Sequence, residues 1–205
     1  MQKVIDITCM LRDKLSIKEK ILLVTNVGGY TNNAHVESNY INKMRENLTT
    51  SFSLLDTRNY IEIIPQTMPP FPWHFGGQRF HNIFVDHLFI KSFCEEHSMR
   101  ICLDVSHSKL ACNYLSTSFH DFLEAVLPFT AHLHLADAQG LDGEGLQIND
   151  GEIDWTELFS MINRLSPKAS FIPEIWQGHK NFGEGAWIAL DKLEKASNLS
   201  YIRTQ

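Results

Sequence analysis

The chain has 205 residues, of which 43% are hydrophobic and 20% charged; that make-up builds one sizeable core and excludes collagen-like, disordered and disulfide-stapled classes. A net charge of −6 without a basic block offers no surface for the counterion release that drives nucleic-acid binding. No apolar run reaches the roughly 18 residues of a membrane span, and the first residues, MQKVIDITCMLRDK, lack the apolar stretch and cleavage site of an export signal.

Cys9, Cys94, Cys102 and Cys112 form no C-x-x-C pair, and two lie in or beside apolar runs, as reduced buried thiols do. A cytoplasmic location, with neither a membrane nor a nucleic-acid partner, is the expectation. Residues 1–19 read as a helix with no strand before it. Apolar runs rich in β-branched residues then recur at 21–27, 60–65, 100–105, 131–136 and 170–175. Segments of helical spacing follow or separate them at 38–55, 82–97, 119–127, 155–165 and 184–196, with Ser118 and Asp154 at N-cap positions. Strand, loop and helix in repetition predict an α/β fold with a parallel sheet.

Repeats of roughly 30 to 40 residues would need on the order of 300 residues for an eightfold barrel. The expectation is therefore a single domain, 1–205, made of the C-terminal five βα units of a TIM (β/α)8 barrel lacking its first strands. A complete five-stranded open sheet is the alternative. Either way two sheet edges need cover, from a second copy in a homo-oligomer or from a further domain completing the barrel.

Polar residues gather toward the ends of the apolar runs: Asn26, Glu62, Asp104, His134 and Glu174. Parallel α/β folds assemble chemistry at the C-terminal rim of their strands. Three carboxylates and an imidazole converging there would repel one another unless a divalent cation sat between them. The expected metal ligands are thus Glu62, Asp104, His134 and Glu174. Oxygen-rich ligation with one nitrogen suits one Mn²⁺ or Mg²⁺, with Co²⁺ or Zn²⁺ as alternatives. His132, two residues before His134, is expected one layer deeper as a hydrogen-bonded core histidine.

The segment 67–77 (TMPPFPWHFGG) is read either as a lid that stacks Trp73 on a sugar face or as an aromatic loop packed over the rim. Asp137, Gln139, Trp176 and His179, downstream of strand ends, are candidate hydroxyl-binding groups. Lys109 is read as solvated. The Gly-rich run 140–151 is too acidic for a phosphate loop. No G-x-S-x-G or G-x-G-x-x-G motif supports acyl-transfer or nucleotide chemistry.

The motifs CLDVSH, HLHLADA followed by GLDGEGLQINDGEIDW, and PEIWQGH resemble the last strand ends of the xylose-isomerase-like barrel superfamily. That group holds sugar isomerases and epimerases together with type IV apurinic endonucleases. The stretch DGEGLQINDGEIDW is similar to a variant in isomerase-like domains attached to nonulosonic (sialic-type) acid synthases. By this resemblance, Glu62, Asp104, His134 and Glu174 match a single-metal ligand set, and His107 matches a substrate-binding histidine. Asn26-Val27-Gly28 and Asp142-Gly143-Glu144 stand where the endonucleases carry zinc-binding histidine motifs, which disfavours a three-zinc phosphodiesterase. The resemblance implies a divalent-metal-dependent isomerase or epimerase acting on a sugar, sugar phosphate or sugar acid through an enediolate, with Glu62 and Glu174 as acid/base pair. The alternatives are a metal-dependent phosphodiesterase or a non-catalytic interaction domain.

Overall fold

The computed structural model describes residues 1–33, 36–74 and 77–203. Its frame is five strands, β1 (Ile21–Thr25), β2 (Ile61–Pro65), β3 (Ile101–Asp104), β4 (Thr130–Leu135) and β5 (Ser170–Pro173). Around them run seven helices among the described residues: α1 (Gln2–Lys14), α2 (Ser38–Ser53), α3 (His87–His97), α4 (Val105–Leu115), α5 (Phe119–Val126), α6 (Trp155–Leu165) and α7 (Lys180–Arg203). β1 pairs in parallel with β2, β3 with β4, and β4 with β5, while a Gln66↔Cys102 bridge joins β2 to β3. Spatial order follows chain order, which is how a βα-barrel wall is laid down. No described helix is long and apolar enough to cross a membrane.

Alternation along β2 shows how the wall is filled. Ile61 and Ile63 face outward onto Ile5 and Cys9 of α1, one helical turn apart, whereas Ile64 packs inward with Cys102, Ala131, Leu22 and Val24. A strand covered on both faces has no polar side to spare, hence its nearly continuous apolar run. The larger core lies under α3 to α7, where Phe84, Phe93 and Phe122 are fully buried. Phe84 meets Phe93 edge-on at 5.2 Å, a contact worth about 1 kcal/mol beyond area burial.

Helix starts follow side-chain caps. Ser118 accepts from Asp121 N, and Asp154 from Thr156 N and Glu157 N, as their positions predict. The helix expected over 82–97 begins only at His87, because Asp86 caps it through Phe89 N at 2.9 Å. Helix α4 was not expected. Asp104 ends β3 and at once caps α4 by accepting His107 N–H at 3.0 Å, so strand passes into helix with no linker. Within α7, positive φ at Asn181, Phe182 and Gly183 interrupts the first turn, and the regular helix lies beyond them.

The Gly-rich run folds into an antiparallel ribbon of Asp137–Gln139 with Gly143–Leu146. Asp137 is fully buried. Its carboxylate accepts the N–H groups of Ala138 (2.9 Å), Asn149 (3.0 Å) and Ile153 (3.1 Å) and the Trp155 indole N–H (2.9 Å). The expectation that Asp137 binds a substrate hydroxyl is thereby corrected: its lone pairs hold the loop in place. Gly151 is required beside it, since an added Cβ would stand 2.4 Å from Asp137 Oδ1 and from Ala138 O. Asp137→Asn turns an NH₂ donor toward N–H donors and should cost roughly 2–4 kcal/mol, read as a fall in the urea midpoint; an unchanged midpoint would show that the ribbon is anchored by something else.

Candidate metal centre

The register of the β3–β4–β5 sheet builds the site. Asp104 lies opposite His134, and His134 opposite Ile172. Glu174 follows just beyond β5, where its N–H donates to Leu135 O at 3.0 Å. The ligand atoms of Asp104, His134 and Glu174 fall within 4.8 Å of one another. His134 Nδ1 stands 2.6 Å from Glu174 Oε2 and 3.7 Å from Asp104 Oδ2, yet this buried nitrogen makes no aligned hydrogen bond. A buried donor atom without an aligned partner, flanked by two carboxylates, is what a cation-binding site presents. The three residues fit a divalent ion, and their mixture of hard oxygen and one imidazole fits Mn²⁺, Mg²⁺, Co²⁺ or Zn²⁺.

Asp104 is the most constrained member, only 4% exposed. Gln66 Nε2 donates to its Oδ2 at 2.9 Å, and its own N–H donates to Thr67 Oγ1 at 2.9 Å. Burial pushes its carboxyl upward, but the imidazoles of His107 and His134 and the His107 N–H outweigh burial and hold it below the usual carboxylate range. For His134, burial disfavours the charge, yet the close approach of Asp104, Cys102 and Glu174 pushes the imidazole up to about 12.

Glu62 does not join this cluster. It is the second residue of β2, opposite Leu22, and Arg100 grips it in a two-pronged pair, Nε to Oε1 at 2.7 Å and Nη2 to Oε2 at 2.5 Å. The Arg100 bond holds its carboxyl below the ordinary value. The residue beyond the end of β2 is Gln66, four positions on, about 13 Å at ordinary strand rise. The assignment of Glu62 as ligand and acid/base is therefore corrected: an inward-facing carboxylate at the wrong end of its strand finds an arginine instead of the rim. His132, one layer below His134 and opposite Cys102, shares a hydrogen bond with Ser170 Oγ at 2.8 Å, in line with a structural role.

A cavity of about 310 Å³ opens over the cluster, lined by Asp104, His107, Glu144, Glu174, Trp176 and His179 among others. Trp176 and His179, two of the candidate hydroxyl-binding groups, thus line the cavity, as does His107, matched by resemblance to a substrate-binding histidine. Gln139 is exposed on the ribbon and does not line the cavity. The Trp73 side chain lies outside the described residues. The preceding part of that loop packs down, with Phe71 edge-on to Phe80 (5.5 Å) and Tyr114 (4.6 Å). Gln66, Thr67 and Glu144 are site residues that the sequence reading did not single out. The first two follow directly from the rule that the rim begins where the apolar run ends.

The chain belongs to the xylose isomerase-like TIM barrel family, whose model matches residues 3–192. No curated protein matches it. Among solved structures it is similar to a D-tagatose 3-epimerase-like protein (17% identity, TM-score 0.66, covering 90% of this chain). It is also similar to a xylose isomerase domain protein from Alicyclobacillus acidocaldarius (15%, 0.59, 88%) and to 3-keto-D-glucoside 4-epimerase from E. coli (12%, 0.56, 86%). It spans 65%, 65% and 64% of their respective lengths. At these identities the likeness establishes the fold: part of a TIM barrel with its strands in family order.

Two measurements check the centre. Metal analysis after dialysis against Mn²⁺ should find about one ion per chain in the parent and in Glu62→Gln, but a loss of ten- to a hundredfold in affinity, or more, in Asp104→Asn; loss in Glu62→Gln would return that residue to the site. Because the folded value of His134 lies above its unfolded value near 6.5, the stabilisation from its charge is complete below that pH and is lost as pH rises through about 12. Metal binding must displace this proton, so calorimetry in two buffers of different ionisation enthalpy should report about one proton released per ion at neutral pH. Zero release would mean either that His134 is neutral in the metal-free chain or that it is not a ligand.

Proposed function

We propose that the chain carries the catalytic rim of a divalent-metal-dependent sugar isomerase or epimerase acting on an unphosphorylated ketose. The observation that carries the reading is the Asp104–His134–Glu174 cluster beneath a cavity of sugar size. A divalent ion held by these three residues would supply Lewis-acid stabilisation for negative charge developing on a carbonyl oxygen. Glu174, with a side chain 56% exposed, is the carboxylate free to reach a carbon-bound proton. It takes the proton from the carbon next to the carbonyl, and the C–H electron pair moves into a carbon–carbon double bond. Trp176, 72% exposed at the cavity wall, offers an apolar face to a sugar ring, while His107 and His179 offer ring nitrogens to its hydroxyls.

The charge of the lining favours a neutral substrate. It holds three carboxyl groups, those of Asp104, Glu144 and Glu174, and neither lysine nor arginine. A phosphate dianion would find no lysine or arginine in this lining to pair with. Lys109, the nearest cation in sequence, faces Glu152 at 3.6 Å instead.

The test is solvent-deuterium exchange, followed by proton NMR with the Mn²⁺-loaded chain over a panel of free ketohexoses and their phosphate esters. Exchange should appear with a free ketose. Glu174→Gln should lower it about 100-fold or more for the epimer whose proton Glu174 removes, with metal content reported alongside. Exchange confined to phosphate esters would sink the neutral-substrate reading, and exchange with no sugar would sink the isomerase reading.

A further inference from the structure

An epimerase must return a proton to the face opposite the one it deprotonates, and so needs a second proton carrier. The pairing of Glu62 with Arg100 and the presence of Gln66, an amide, at the tip of β2 leave no second carboxylate on the β2 rim. The geometry points to Glu144, on the ribbon that follows β4, as that second acid/base residue; this rests on the isomerase reading above.

Four observations place it. Glu144 lines the same cavity as Glu174 but enters it from a different element, the Gly143–Leu146 arm of the ribbon rather than the β5 tip. Its Oε2 lies 3.6 Å from His107 Nε2. The opposite nitrogen of that ring, Nδ1, faces Thr67 O at 3.0 Å and Asp104 Oδ2 at 3.2 Å, so the imidazole stands between Asp104 and Glu144. The backbone beside Glu144 is pinned on both sides: Gly145 N–H donates to Ser106 Oγ at 3.0 Å, and Gly145 O accepts from Trp176 N at 2.7 Å. The positive φ of Gly145 (+69°) and the approach of Trp176 to within 3.3 Å of a would-be Cβ show why glycine follows it.

Partial burial, with Asp104 and Glu174 nearby, also raises the Glu144 carboxyl above its ordinary value, against the opposing pull of His107.

Glu174 removes the proton from one face of the carbon. Glu144 then gives its O–H proton to the other face; the new C–H bond takes the electron pair of the carbon–carbon double bond, and the carbonyl re-forms. Glu144 is left as carboxylate and Glu174 as carboxylic acid, and proton exchange with water resets both. In the reverse direction the roles swap.

The two directions supply the experiment. Each member of a ketohexose epimer pair is incubated in D₂O with the Mn²⁺-loaded chain, its Glu144→Gln and its Glu174→Gln variants. Deuterium incorporation and epimer formation are read by NMR, and sugar binding by saturation-transfer NMR. Glu144→Gln should abolish interconversion by about 100-fold or more and lose exchange with one epimer while keeping it with the other; Glu174→Gln should show the complementary pattern. In Glu144→Gln, which alters no metal ligand, metal content and ketose binding should stay within about threefold of the parent, and the Glu174→Gln pattern is read against its own metal content. Exchange and interconversion unchanged in Glu144→Gln would overturn the proposal while leaving the isomerase reading standing, and loss with both epimers would equally overturn it. A parent chain inactive toward every sugar would fell both. Should Glu144→Gln fail to fold, Glu144→Asp, which retains the carboxylate, should keep interconversion at a reduced rate; complete loss of interconversion in folded Glu144→Asp, with exchange of both epimers unchanged, would overturn the proposal.

Discussion

Asp104 carries two obligations at once, and the site depends on its meeting both. One carboxylate oxygen receives His107 N–H and so starts α4; the other receives Gln66 and faces the His134 ring. A cap of this kind is worth about 1 kcal/mol to the helix. Its larger effect is geometric. The helix start fixes the side chain's rotamer, and with it the direction in which the second oxygen points. The same turn places His107 three residues on, facing the cavity. One aspartate thereby aligns strand tip, helix and histidine, and no flexible linker intervenes to loosen them.

Charge is divided along the barrel axis. Toward the starts of the strands, Glu62 meets Arg100 and His132 meets Ser170, so these polar groups have protein partners. At the rim the accounting is left open. His134 Nδ1 is crowded by carboxylates without an aligned bond, Glu174 reaches into solvent, and Glu144 shares its wall with two further acids. Such an excess of negative charge is destabilising unless a cation or protons compensate it. The lower layer thus pairs its charges within the protein, whereas the upper layer carries an excess that a cation or protons would compensate.

What could be read from the sequence follows from how local each signal is. The five apolar runs, Ser118 and Asp154 as caps, and the tip positions of Asp104, His134 and Glu174 rest on patterns within a few residues, and the structure brings those three side chains together. Glu62 was misplaced because an acid inside a short apolar run carries no mark of which end it occupies; the run ends at Pro65, and Arg100, its partner, lies 38 positions away. Helix α4 escaped because VSHSK opens with a β-branched residue and two serines, poor helix formers that a strong cap overrides. Asp137 resembled a substrate ligand because its type and position at the rim were right. Its four donors arise from a loop that returns over the following 18 residues, and no local pattern encodes that return.

The distribution of the site along the wall has a further consequence. β1 and β5 each pair with one neighbouring strand among the described residues, and this chain spans 65% of the length of its first structural neighbours. Yet Asp104, His134 and Glu174 all belong to the contiguous β3–β4–β5 sheet, whose register is set by its own hydrogen bonds. Glu144 and Trp176 are tied to the same sheet through Gly145. The proposed cation binding and proton transfer therefore draw on residues within 104–179. The segment after β2 contributes Gln66 and Thr67, which hydrogen-bond Asp104. In this arrangement the chemistry is concentrated in one half of the arc while the other half buttresses it, so the ligand geometry rests on three adjacent strands and not on closure of the ring.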